Sequence, residues 1–224
     1  RGGKDAHVIR EFDLKTRQFL KDGFDISESK SQAAWVDQDT ILVGDATDTT
    51  TLTASGYPSQ IKVLKRGTDL KTAPVIFKTL SSSVSTYAFS KYTEEKRYLF
   101  ISEGTSFFET TYYIFDINTL KLTKIPIPTT ASFETFYQDH IIFSTRDKFE
   151  KYPAGSLLSF SSSELKLKKP KITPVFVPSE LIFYEYSSVS KNHIWVVTLN
   201  DVKKQILKYS LKSGFWNSEE VKLA

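Results

Sequence analysis

Apolar and polar positions alternate along this chain with a period of two, in short runs, and helical periodicity is nearly absent. Ile41-Leu42-Val43, Tyr98-Leu99-Phe100-Ile101 and Ile194-Trp195-Val196-Val197 are typical apolar runs. They are rich in β-branched and aromatic residues and are bounded by Asp, Asn, Gly, Ser and Pro, which predicts β-strands joined by tight turns. A bilayer-spanning helix needs about 20 apolar residues in a row, and these runs are far shorter. Nothing at the start of the chain reads as a signal peptide.

One phrase recurs: an aromatic residue, Asp or Ser, Leu or Ile, any residue, then Thr or Ser. It stands at Phe12-Asp13-Leu14-Lys15-Thr16, at Phe115-Asp116-Ile117-Asn118-Thr119 and at Tyr209-Ser210-Leu211-Lys212-Ser213. Degenerate copies are Leu64-Lys65-Arg66-Gly67-Thr68 and Phe160-Ser161-Ser162-Ser163. The copies begin at residues 12, 64, 115, 160 and 209, 45 to 52 residues apart. That period suits a propeller blade and is too long for a leucine-rich or ankyrin unit. The chemistry predicts a hairpin at each copy, where a strand ends, Asp or Ser bonds its own backbone, and a second strand returns, as in Lys121-Leu122-Thr123-Lys124-Ile125.

Upstream of the last four copies an alternating strand meets a short polar turn and then a strongly apolar strand. Ala33 to Val43 and Glu134 to Ser144 show this most plainly, and the grammar repeats over Thr86–Ser102 and Tyr184–Leu199. Each unit then holds four strands. The expected fold is all-β: about four and a half four-stranded antiparallel blades of a seven-bladed propeller, with the outer strands of one blade in 1–25 and blades at roughly 31–79, 84–128, 131–178 and 181–224. A closed ring is not expected from these residues alone, and the open propeller ends are expected to self-associate.

With 40% hydrophobic and 14% aromatic residues, the 224-residue chain has ample material for a core. The absence of cysteine excludes disulfides, thiolate catalysis and cysteine-based zinc sites, and suits a reducing compartment, so a cytoplasmic setting is expected. The absence of methionine and the opening Arg1-Gly2-Gly3-Lys4 suggest a piece of a longer protein. A net charge of +4 raises the question of an anionic partner, but the densest basic stretch, Lys166 to Lys171, has no interleaved stacking aromatics. Neither nucleic acid nor membrane is an expected partner.

Arg10-Glu11-Phe12-Asp13-Leu14-Lys15-Thr16-Arg17-Gln18-Phe19, Gly23-Phe24, Glu28-Ser29-Lys30, Trp35 to Gly44, Leu52-Thr53-Ala54-Ser55-Gly56-Tyr57-Pro58 and Lys65 to Leu70 together resemble the propeller of bacterial prolyl oligopeptidase family serine peptidases. Tyr152-Pro153-Ala154-Gly155-Ser156-Leu157-Leu158 carries the resemblance further. One departure is Asp45 to Thr50, where the resemblance leads us to expect a glycine-bearing turn. The resemblance implies that the catalytic serine, aspartate and histidine lie on an α/β-hydrolase domain following the propeller, outside this chain. It also implies that the propeller caps the active site and limits access to short peptides. The implied partners are the hydrolase domain of the same parent chain and peptide substrates.

The residues themselves offer no competing chemistry. The G-x-S-x-G elbow of a hydrolase does not occur, and its nearest approach, Ser156, reads as a strand residue. His7, His140 and His193 lack the spacing of metal ligands, and the latter two precede apolar strands at equivalent turns. Asp37 with Asp39 and Asp45 with Asp48 read as turn formers, since the glycine and further ligands of a calcium loop are missing. Trp35, Trp195 and Trp216 read as core. A sugar-processing propeller would need several inward-facing carboxylates, and the inner strands carry few acids. No residue is expected to be catalytic, to hold a cofactor or to bind a metal.

The leading expectation is therefore a non-catalytic propeller portion of a serine peptidase; the alternative is a free-standing propeller that presents loops to a protein partner. The 224 residues alone are expected to remain unlabelled by a fluorophosphonate reagent, for want of any paired nucleophile and base. Stoichiometric labelling of one serine, read by intact-mass spectrometry, would overturn that expectation.

Overall fold

The computed structural model describes residues 5–93 and 96–222 and contains no α-helix among them. Its N-terminal element is one bent hairpin. Strand β1 (His7–Arg10) pairs with β4 (Asp25–Ser29), and β2 (Phe12–Asp13) pairs with β3 (Gln18–Phe19). Between the two ladders the Glu11 N–H donates to the Phe24 carbonyl (2.9 Å), and the Glu11 carbonyl accepts from the Leu20 N–H (3.1 Å).

Four meander sheets follow, each with its strands paired in chain order. The first contains β5 (Gln32–Asp37), β6 (Thr40–Gly44), β7 (Gln60–Lys65) and β8 (Val75–Lys78). The second contains β9 (Ser85–Tyr92), β10 (Arg97–Gly104), β11 (Thr110–Asp116) and β12 (Lys121–Lys124). The third contains β13 (Ser132–Tyr137), β14 (His140–Ser144), β15 (Leu157–Ser161) and β16 (Thr173–Phe176). The fourth contains β17 (Ile182–Ser190), β18 (His193–Asn200), β19 (Lys203–Lys212) and β20 (Phe215–Glu220). These are the four-stranded antiparallel blades expected from the sequence.

The three full copies of the phrase make their turns in two ways. At Phe12 and Phe115 the Asp carboxylate accepts an N–H two residues on, from Lys15 (2.7 Å) and Asn118 (2.9 Å). The loop then closes through a left-handed residue, Arg17 at φ 57° or Leu120 at φ 53°. At Tyr209 no Asp is present, and the strand runs on to Lys212, which pairs with Phe215. Ser213 and Gly214, both left-handed at φ 51° and 80°, form the two-residue turn that suits the twist of a hairpin.

By its internal packing the chain divides into two compact units, Arg1–Lys91 with Arg97–Leu122 and Tyr92–Lys96 with Thr123–Ala224. In the first unit, Ala34, Leu42, Ile61 and Val63 of the first sheet meet Ala88, Leu99, Ile101 and Phe115 of the second. The opposite face of the first sheet, with Ile41, Val43 and Leu64, is covered by Phe24 and Ile26 of the hairpin together with Ala73. Strand β6 is thus buried on both faces, which is why it reads as an unbroken apolar run rather than an alternation. In the second unit, Tyr137, Ile142, Leu157, Val175 and Phe176 pack against Ile194, Val196 and Tyr209.

An ion pair is buried beside this apolar layer. Lys62, in the middle of β7, reaches the carboxylate of Asp45 at 2.8 Å, with side-chain exposures of only 8% and 1%. Lys62 also donates to the Leu70 carbonyl (3.1 Å), and Asp45 accepts from the backbone and hydroxyl of Thr47 (2.9 and 2.7 Å). The β6–β7 loop is further tied down where the Ala46 N–H donates to the fully buried Ser31 hydroxyl (2.8 Å). The Asp45–Thr50 segment, which lacks the expected glycine, is shaped by these side-chain acceptors. Asp48 caps the single 3₁₀ turn at Thr49–Thr51 in the same way.

A buried pair is worth little over an apolar replacement, but removing one partner strands the other charge. Lys62→Met is expected to cost about 3–5 kcal/mol in urea unfolding. Adding Asp45→Asn to it is expected to recover a large part, and equal losses in the single and double variants would refute the coupling.

Candidate functional site

Arg66, at the first position after β7, gathers residues from three separate stretches of the chain. Its guanidinium grips the Glu11 carboxylate with two nitrogens, Nη1 to Oε2 at 2.8 Å and Nη2 to Oε1 at 2.9 Å. Its Nε donates to Asp39 (3.0 Å), and Nη2 also donates to the Gln38 carbonyl (2.6 Å). The guanidinium carbon lies 4.8 Å from the centre of the Phe24 ring, and that ring meets Trp35 edge-on at 5.6 Å. Glu11 also accepts the Phe24 N–H (3.0 Å). Gly23 completes the fit: a Cβ there would lie 2.9 Å from the Glu11 Cβ and 3.0 Å from that of Leu20, so no side chain can be housed. This joint holds the N-terminal hairpin against the first sheet. Arg66 holds the Glu11 carboxyl below the usual range, helped by the Phe24 N–H, and the two carboxylates in turn raise the guanidinium further.

A second set of contacts gathers around the β6–β7 loop. The Thr53 hydroxyl donates to the Val84 carbonyl (2.8 Å), and the Thr86 N–H donates to the Pro58 carbonyl (3.0 Å), joining the loop to the start of the second sheet. On its surface Tyr57 donates to Asp5 (2.7 Å), and Lys30 lies 4.1 Å over the Tyr57 ring and 3.5 Å from Asp5. Further along this sheet Tyr113 donates to Glu103 (3.1 Å), whose other oxygen meets the Thr79 hydroxyl. Burial, and then the Glu103 charge, push the Tyr113 hydroxyl up to about 12.

The residues weighed for chemistry lie elsewhere. Ser156 is fully buried and precedes β15 by one residue, in a turn rather than in the strand, because its hydroxyl donates to the Pro153 carbonyl (2.7 Å) beside left-handed Gly155. His140 and His193 each open the second strand of their sheet; His140 donates from Nδ1 to the Gln138 carbonyl (2.8 Å) and meets Trp216 edge-on. His7 lies in the other unit, its Nδ1 3.1 Å from the Asp5 carbonyl. Among the described residues no three His, Asp or Glu side chains gather as a metal site. Asp37 accepts the Asp39 N–H (2.8 Å) as a turn former does, whereas Asp39 also serves Arg66. Trp216 packs on the buried cluster of the second unit and donates to Ser159 (2.8 Å). Trp35 is 41% exposed although it meets the Phe24 ring, and Trp195 donates to an exposed Ser190 (2.9 Å).

Glu11, Gly23, Phe24, Trp35, Asp39 and Arg66 all fall in the phrases that resembled a peptidase propeller, and the fold brings them into one joint. The family model described as the prolyl oligopeptidase N-terminal beta-propeller domain matches residues 1–224. The chain belongs to this family. An uncharacterized peptidase, y4nA, of Sinorhizobium fredii is 29% identical over 99% of this chain, and an uncharacterized peptidase, RP174, of Rickettsia prowazekii is 25% identical over 96%. The chain spans about a third of the length of these relatives, 32% of each. The solved structure of a post-proline cleaving enzyme from Rickettsia typhi superposes with a TM-score of 0.90 at 25% identity, covering 99% of this chain and 35% of that one.

Arg66 and Lys62 were missed as organisers of this propeller by sequence reasoning. The available signals were a lysine inside the apolar run Ile61-Lys62-Val63-Leu64 and an arginine directly before Gly67. Glu11, with its depressed carboxyl, stabilises the fold fully above the ordinary glutamate pKa of about 4.3, and that stability is lost as pH falls through the lower folded value. Glu11→Gln is expected to cost about 1–2 kcal/mol at pH 7, given the partial exposure of the pair. Below pH 4 the difference from the parent sequence should shrink, as measured by urea titration at each pH. A constant difference from pH 7 to pH 3 would show that Glu11 does not act through its charge.

Proposed function

We propose that this chain is the non-catalytic propeller portion of a prolyl oligopeptidase-type serine peptidase, capping an active site carried elsewhere in the parent and admitting only short or flexible peptides. The observation that carries this reading is the match of residues 1–224 to the family's N-terminal propeller domain, in relatives named as peptidases and about three times as long. The internal physics is compatible with a cap. Sheets stacked on apolar faces are stiff, and a stiff wall excludes bulk without touching the scissile bond. The loops at the strand ends are the parts free to differ or to move. A reducing, cytoplasmic setting is part of the same proposal, on the strength of a chain without cysteine.

The test compares one scissile bond in two settings, a peptide of about ten residues and an unfolding-resistant folded protein, with the intact parent enzyme. The peptide is expected to be cut and the folded protein spared. Comparable kcat/KM values for the two would sink the filter. Deleting residues 1–224 is expected to abolish folding or to leave a hydrolase that ignores substrate size, with its bond preference unchanged.

A further inference from the structure

The β10–β11 loop, Thr105 to Glu109, is knit together by its own polar groups and carries two phenylalanines at its apex. The Thr105 and Ser106 N–H groups donate to the Glu109 carbonyl (3.0 and 3.4 Å), and the Ser106 hydroxyl donates to the Glu109 carboxylate (3.1 Å). The Phe108 N–H in turn reaches the Ser106 hydroxyl (3.4 Å). The polar atoms of the loop therefore bond inward and leave the rings outside. Phe107 is 85% exposed and Phe108 56%, and the two rings meet edge-on at 4.9 Å. The base of the loop is anchored by the Val84 N–H donating to the Gly104 carbonyl (2.8 Å), and the connector leading to Val84 exposes Leu80.

Single exposed apolar residues are ordinary on a protein surface. Two adjacent aromatic rings on an ordered tip are different, because large rigid side chains presented without a cost in loop ordering are what buried interface anchors consist of. Exposed rings at a loop tip are suited to insertion into a partner rather than to cradling a small molecule. The relatives carry about two thirds of their length outside the stretch this chain matches. A loop at the end of a blade is free to meet that remainder, because the blade's strands are engaged in their own sheet.

Resting on the function proposed above, we propose that Phe107 and Phe108 are a docking knuckle for the part of the parent chain outside residues 1–224, seated in an apolar depression of it when the parent is closed. Full-length parent with p-benzoylphenylalanine at position 107 is irradiated and its cross-links are mapped by mass spectrometry. A cross-link within one molecule to a residue outside 1–224 is expected. Cross-links to a second copy, to other propeller residues only, or to nothing would each overturn the proposal. In parallel, Phe107→Ser/Phe108→Ser is expected to raise the rate of proteolytic nicking between the propeller and the remainder by about tenfold, through loss of buried aromatic area in the closed state. An unchanged rate counts against the knuckle. Fluorophosphonate labelling of the unmodified parent separates the two ideas: labelling without the cross-link sinks the knuckle alone, and no labelling sinks the peptidase reading itself.

Discussion

A single-layer sheet has two faces, and a meander of four short strands cannot keep both in water without losing the apolar contacts that hold it. The stacking of each sheet's apolar face on a neighbour is the constraint on which the rest of this molecule depends. It explains why Thr40–Gly44, packed between the hairpin and the second sheet, is buried along its whole length while the outer strands Val75–Lys78 and Lys121–Lys124 are not. The period of the sequence is that of a four-stranded antiparallel sheet, the blade of a propeller.

Stacking is non-directional, and apolar faces alone do not specify where one layer ends against the next. Polar contacts at the rims supply that direction. Arg66 fixes the bent hairpin at a single place because its planar fork matches the Glu11 carboxylate and its remaining donors find Asp39 and Gln38. The Lys62–Asp45 pair does the same at the root of the β6–β7 loop, where a glycine turn would have left the backbone free. Thr53 and Pro58 then carry the order of that loop across to Val84 and Thr86 of the second sheet.

This division between stiff layers and tailored strand ends bears on function. The chain is a propeller domain of the prolyl oligopeptidase family, similar over nearly its whole length to about a third of a post-proline cleaving enzyme. Apolar faces hold the layers of each unit together, and strand-end loops such as Thr105–Glu109 are ordered by their own hydrogen bonds.

By itself the sequence determined the strands, the polar turns and the four-stranded repeat, because each rests on interactions within a few residues. An Asp bonds the N–H two positions on, and alternation over five residues selects a face. The family was legible for a related reason: the phrases that carried the resemblance are short and contiguous. Only the tertiary structure decided that these phrases converge, since Glu11 and Arg66 lie 55 positions apart and their pairing follows from how the hairpin seats on the first sheet. It also decided that Trp35 is half in solvent, that Lys62 is paired within an apolar layer, and that Ser156 closes a turn. Burial and ion pairing are properties of the surroundings a residue acquires from distant parts of the chain, and no local pattern of residue types encodes which neighbour will arrive.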